Sequence, residues 1–337
     1  MSSQLTSKQT NSFLSIQNLK VYFPIGTSLF NIFPTHFLKA VDNVSFDLVA
    51  GETLGLVGES GCGKSTLGRA ILRLIPATDG KVIWLGNNIY DLSDQNMRQK
   101  RREMQIIFQD PLASLNPRMT IGEIIAEPLV TFHPELKRKE IRARVQDIMQ
   151  KVGLLPQQIN RYPHEFSGGQ CQRIGIARAM INHPKLIICD EPVSALDVSI
   201  QAQIVNLLMD LQKDMGLSLI FISHNLSVVR HISHRIMVLY LGKTVEIASR
   251  DQLYANPRHP YTRALISAVP IPDPDIEKKK KRIVLKGDLP SPLNPPSGCN
   301  FRTRCPLATE ICAEKTPYLQ EIEKGHSVSC HHWDKAL

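Results

Sequence analysis

ETLGLVGESGCGKSTLGRAILRL, residues 52–74, decides the fold. It opens on an apolar run of the kind found in strands buried on both faces. It then breaks at Gly58, Gly61 and Gly63 and continues in a helical pattern. Within it, GESGCGKST at 58–66 fits G-x-x-x-x-G-K-[ST]. Glycines let the backbone turn tightly and point amide N–H groups inward, and the helix that follows adds the partial positive charge of its N-terminus. The loop Gly58, Glu59, Ser60, Gly61, Cys62, Gly63 therefore reads as a cradle for a triphosphate, with Thr66 in the same stretch. Lys64 is placed to reach the β- and γ-phosphates and Ser65 to ligate Mg²⁺. The alternative, a structural Gly-rich turn, does not require a strand before it and a helix after it, and both are present here.

A second run, LIICDE at 186–191, is apolar and ends in two carboxylates. Such a strand brings Asp190 to the floor of a phosphate site, where it holds Mg²⁺ through water. It also places Glu191 to polarise an attacking water as general base. Further strands read at 14–22, 40–49, 81–86, 217–223 and around 235–247, with a helix at 199–216 and mostly helical patterning over 112–182. Strands alternating with helices imply an α/β fold with a largely parallel sheet. Residues 1–12 read as a frayed tail, and PIGTSLFNIFPTHF at 24–37 reads as an insertion. From about 256 prolines cluster around a basic run, which predicts a linker or arm rather than sheet core.

The chain has 337 residues, 42% hydrophobic and 21% charged, a globular balance that excludes wholesale disorder. No apolar stretch approaches the roughly 20 residues of a membrane span, and the polar start shows no signal peptide. The expectation is a protein that stays in the cytosol. The net charge of +9 admits nucleic acid or an anionic membrane face as partner. However, much of the excess sits in local runs (137–144 and 278–282) that read as solvated surface, without interleaved aromatics for base stacking.

FSGGQCQR at 166–173 resembles the signature motif of ATP-binding cassette proteins. The other family motifs follow in order. Gln109 in IIFQDP resembles the Q-loop glutamine, Ser194 to Asp197 the D-loop, and His224 in FISHN the switch histidine. Phe23 or Tyr22 stands where the family stacks adenine. Phe166 and Cys171 depart from the usual pattern without removing an anion-binding group. The resemblance implies a RecA-like P-loop nucleotide-binding domain over 13–255. This has an antiparallel β subdomain, a helical subdomain at about 110–180 and a small C-terminal extension at 256–337.

It further implies ATP and Mg²⁺ as ligands, with Ser65, Gln109 and Asp190 at the metal and Glu191, His224 and Gln109 in catalysis. Ser167, Gly168, Gly169 and Gln170 would form a second anion-binding helix N-terminus. In a head-to-tail dimer this caps the ATP of the other subunit, with Asp197 nearby. YANPRHPYTRALISAVP at 254–270 resembles the start of the extension in oligopeptide and dipeptide importer ATPases. That implies a sister ATPase, two transmembrane permease subunits and an extracytoplasmic substrate-binding protein as partners. It also implies a peripheral location on the cytoplasmic side of the cell inner membrane. Nickel, glutathione or sugar importers of the same type are alternative settings, and a soluble cassette acting on nucleic acid is a more distant one.

Seven cysteines are present, and four lie in the last 39 residues as C-x5-C-x6-C-x17-C. Cys299, Cys305, Cys312 and Cys330 admit three readings: a [4Fe–4S] cluster, zinc, or four unligated thiols in a small cap that could sense redox state. The spacing is similar to the cluster-bearing segment of some dipeptide importer ATPases. Any such centre is expected to lie well away from the nucleotide, and Cys62, Cys171 and Cys189 to be packing residues.

Overall fold

The structure, a computed structural model, describes residues 13–26, 36–270, 273–279 and 282–335. The N-terminal tail at 1–12, most of the insertion and part of the second basic run lie outside the described residues.

Two sheets organise the molecule. Strands β1 (Leu14–Ile25), β2 (His36–Leu48), β4 (Asp79–Trp84) and β5 (Asn87–Asn88) form an antiparallel sheet in the order β2-β1-β4-β5. The alternation read at 14–22 and 40–49 is realised as one buried face bearing Leu14, Ile16, Val44, Phe46 and Leu48. The second sheet has eight strands. Its parallel centre runs β9 (Arg235–Tyr240), β3 (Thr53–Val57), β8 (Ser218–Ile222), β7 (Leu186–Asp190), β6 (Met104–Ile107). Every residue of β3, β7 and β8 is buried. That is why these strands read as continuous apolar runs: a parallel sheet is covered on both faces.

Among the described residues there are eleven α-helices: α1 (Lys64–Ile71), α2 (Asp94–Lys100), α3 (Ile121–Phe132), α4 (Arg138–Lys151), α5 (Gly168–Met180), α6 (Val198–Met215), α7 (Leu226–Ile232), α8 (Arg250–Ala255), α9 (Pro260–Ser267), α10 (Pro274–Lys279) and α11 (Glu310–Glu314). On one side of the parallel sheet Ile188, Ile220 and Leu56 pack with α1 and the antiparallel sheet. On the other side Ile187, Cys189 and Phe221 join a core that includes α3, α4, α5 and α6. The basic run at 137–144 lies at the start of α4, whose buried positions are Val145, Ile148 and Met149, so its charges face solvent.

The region after 256 is not only an arm. Strands β11 (Gln320–Glu323) and β12 (His326–Val328) extend the large sheet, with β12 antiparallel to β10 (Lys243–Ser249). Both are too short to stand out among the prolines. The join is built around a carboxylate. Glu246, fully buried, accepts from His326 Nε2 (2.7 Å), the Arg258 amide (2.7 Å) and the His259 amide (2.9 Å).

His259 caps α9, its Nδ1 accepting from the Tyr261 amide at 3.1 Å. Burial, against the opposing pull of Glu246 and helped by Arg263, lowers its pKa to about 4. The unfolded chain protonates this imidazole near its ordinary value of 6.5 and the folded chain does not. The stability it contributes is therefore complete above about 6.5 and is lost as pH falls towards 4, by up to about 3 kcal/mol. Thermal unfolding at pH 7.5 and pH 5 is expected to show this loss. His259→Asn, which keeps a cap acceptor, should flatten the slope, and equal slopes in both proteins would refute the assignment.

Candidate nucleotide site

Strand β3 delivers the chain into the glycine loop, and positive φ angles there (154° at Gly58, 77° at Gly61, 103° at Gly63) suit glycine. Space imposes the same choice. A Cβ on Gly63 would come within 2.0 Å of the Ala40 carbonyl, and one on Gly58 within 2.4 Å of the Leu239 carbonyl. The loop ends on α1, which carries no acid of its own in its first turn to offset the N-terminal charge. Lys64 is buried, its ammonium donating to the carbonyls of Gly58 (2.8 Å) and Glu59 (3.0 Å). Amides and ammonium together make a cradle for an anion.

Beside it, Ser65 Oγ donates to Asp190 Oδ1 at 2.6 Å, with Arg69 at 3.7 Å from the other oxygen. Burial at the end of β7 pushes the Asp190 carboxyl up, against the Ser65 hydrogen bond and the charge of Arg69. Two adjacent hard oxygens of this kind fit Mg²⁺, which takes few protein ligands and keeps its waters. The next residue, Glu191, sits at φ 49°, uncommon for a side chain other than glycine. Its Oε2 accepts from Gln109 Nε2 at 3.2 Å and stands 3.2 Å from His224 Nδ1. Gln109 follows β6 and His224 follows β8, so three strand ends aim one group each at a single point.

These residues line a cavity of about 480 Å³ together with Ser60, Gly61, Gly63, Lys64, Ser65 and Thr66. Phe23, Leu38 and Ala40 line it too. Of the two candidate aromatics, Phe23 faces the cavity, while Tyr22 turns its hydroxyl to Asp42 at 2.6 Å. Leu38 and Ala40 had no motif to mark them.

Ser167, Gly168, Gly169 and Gln170 are elsewhere. Ser167 caps α5 in a reciprocal box with Gln170, and α5 too has no acid in its first turn. None of the four lines the described cavity. Asp197 is exposed at the start of α6. Cys171 and Phe166 pack into the core, the Cys171 thiol lying 3.5 Å from the Pro163 carbonyl. Cys62 and Cys189 are buried as well.

The four C-terminal cysteines converge. The Cys299 amide donates to the Cys312 carbonyl at 2.8 Å. Burial raises the Cys305 thiol to about 11 and the Cys330 thiol to about 12, with the neighbouring cysteines of the cap adding to the rise in both. Among the described residues no group of three or more His, Cys, Asp or Glu side chains is arranged to hold a metal ion. The geometry thus gives no support to the expectation of an iron–sulfur cluster or of zinc.

The cap nevertheless touches the glycine loop through a residue beside its cysteines. Arg304, next to Cys305, donates to both carboxylate oxygens of Glu59 in the glycine loop at 2.9 and 3.1 Å. The Glu59 amide donates to Tyr261 Oη at 3.0 Å. No local pattern pairs residues 245 or 202 positions apart, so sequence reasoning missed both contacts.

Residues 41–194 match the family model "ABC transporter", and residues 245–312 match "Oligopeptide/dipeptide transporter, C-terminal region". The oligopeptide transport ATP-binding protein OppF of Salmonella typhimurium is 63% identical over 325 residues, 96% of this chain and 97% of that protein. OppF of Escherichia coli is 65% identical over 319 residues, 94% and 95% of the two chains. Among solved structures, a dimeric ATP-binding cassette in a post-hydrolysis state, bound to ADP and phosphate, superimposes with a TM-score of 0.63. It is 28% identical and covers 70% of this chain and 98% of its own. The chain belongs to the ATP-binding cassette family, among the oligopeptide-transport ATP-binding proteins. ATP binding and hydrolysis come with that membership. Among the described residues no helix is long and apolar enough to cross a membrane.

Proposed function

We propose that the chain is the ATP-hydrolysing subunit of an importer for di- and oligopeptides, seated on the cytoplasmic face of the inner membrane. The observation that carries this is the meeting of Gln109, Glu191 and His224 at the mouth of the phosphate cradle, in a chain aligned along 96% of its length with a peptide-transport ATPase subunit. Lys64 and the loop amides hold the β- and γ-phosphates, and Phe23 stacks on adenine. Ser65 and Gln109, with Asp190 through water, are the residues that would hold Mg²⁺, which supplies charge neutralisation between the phosphates. Glu191 takes the proton of the attacking water, while His224 holds the γ-phosphate and keeps Glu191 aligned. Gln109 links the site to the helices at 110–180, so closure over ATP moves that region.

The signature residues Ser167 to Gln170 lie outside the chain's own cavity. A sister ATPase therefore completes each site, with Asp197 at the seam. Two transmembrane permease subunits receive the motion, and an extracytoplasmic binding protein acts through them. Nucleic acid has no part. Cargo choice rests with the permease and binding subunits. A cluster held by Cys299, Cys305, Cys312 and Cys330 rests on the convergence of four thiols alone, and iron and zinc analysis after anaerobic purification tests it.

The isolated chain is expected to hydrolyse ATP poorly. Activity should rise about tenfold or more when the sister ATPase and permease are present, as expected when catalytic groups are assembled by closure. A further rise should follow addition of peptide-loaded binding protein. Full, concentration-independent activity of the isolated chain refutes the composite site. Stimulation by another solute but no peptide refutes the cargo.

A further inference from the structure

We propose that Arg304 is a positioning residue for the phosphate loop, and that the C-terminal cap is the buttress through which it acts. The inference rests on the nucleotide reading of the loop and goes beyond it by assigning a role to the extension.

Glu59 is held through three of its groups. Its carboxylate accepts from Arg304 Nη1. Its amide donates to Tyr261 Oη, and its carbonyl accepts from the Lys64 ammonium and the Cys62 amide. The first two partners come from the region after β10. Arg304 is itself anchored. Its side chain is 10% exposed, and Phe301, three residues earlier, is buried in an aromatic cluster with Tyr240 and Tyr261 at centroid distances of 5.2 and 5.4 Å. The cluster joins β9, α9 and the cap, so the guanidinium stands on a rigid base. Asn300 adds a bond to the Leu241 carbonyl at 3.4 Å, and the neighbouring Gly242 amide donates to the Cys62 carbonyl in the loop.

A loop with three glycines loses much conformational entropy when it orders around phosphates. Holding Glu59 in advance removes part of that cost from binding. This favours nucleotide binding. It does not touch the reacting atoms, so turnover of bound ATP should be spared.

The test uses the full-length chain and a fluorescent ATP analogue. Arg304→Gln is expected to weaken binding about fivefold to tenfold, where tenfold is 1.4 kcal/mol. Arg304→Lys, which keeps the charge, should recover part of the loss. Glu59→Gln, which leaves the cap untouched, should weaken binding by a similar factor. The double variant should be no worse than either single, because the two residues act as one unit. In the assembled complex the KM for ATP should rise in proportion, with kcat within about twofold.

If Arg304 merely folds the cap, Arg304→Gln lowers the thermal midpoint of the nucleotide-free chain while Glu59→Gln binds ATP normally, and the inference fails. It also fails if both singles bind within twofold of wild type, or if their losses add. A wild-type chain that binds no ATP overturns the nucleotide reading itself, a result distinct from these.

Discussion

Glu191→Gln is expected to slow ATP hydrolysis in the assembled complex by about a hundredfold or more while ATP affinity stays near wild type. The amide has nearly the shape of the carboxylate, and its oxygen can still accept from Gln109 Nε2 at the 3.2 Å seen for Glu191. What is lost is the basic lone pair proposed to take a proton from water. In the proposed site binding falls to other groups: the loop amides, Lys64, and the Ser65–Asp190 pair, which lie apart from that lone pair. Removing a negative charge from the cavity does not weaken a polyanion. The backbone at φ 49° strains Glu and Gln alike, so folding does not confound the comparison. Single-turnover hydrolysis and nucleotide titration of the same preparation separate the two effects. Normal turnover would place the base elsewhere, and lost binding would mean that Glu191 holds the loop rather than the water.

The site was readable where chemistry is carried by short, contiguous motifs. The glycine loop and the LIICDE strand each state a local geometry, and the parallel order β3-β8-β7 brings Ser65 and Asp190 to 2.6 Å. Buried parallel strands also announce themselves, because both faces must be apolar. Gln109 and His224 were assigned through family resemblance. Their 3.2 Å approaches to Glu191 need three strand ends in register, which no single segment encodes.

The extension was least readable, for a physical reason. Proline density reads as linker, yet β12 is three residues long and needs only two paired positions to join β10. Its hold on the sheet is the buried Glu246–His326 contact, and a carboxylate in a strand ordinarily reads as a solvent-facing position. The ion pair of Arg304 with Glu59 is likewise long-range, between a charge in a cysteine-rich tail and a charge in a motif whose side chain is unspecified. Patterns report periodicity and turns; they do not report which distant charges meet.

The largest effect at the second anion site should come from Gly168→Asp. Gly168 is the first residue of α5, exposed, with only Leu196 within 3.6 Å of an added Cβ. An acid in the first turn complements the helix dipole, so the folded chain should be as stable as wild type or slightly more so. Because residues 167–170 do not line the chain's own cavity, ATP affinity of the isolated subunit should not change. In the dimer the same carboxylate would face the partner's γ-phosphate. There it would repel the charge that the bare helix N-terminus is placed to stabilise, an effect of about a hundredfold or more on turnover. Hydrolysis by the assembled complex is thus expected to collapse while thermal midpoint and nucleotide binding of the lone subunit hold. A variant that binds ATP weakly on its own would show that the signature serves its own chain. One that leaves the complex fully active would show that α5 never meets a phosphate.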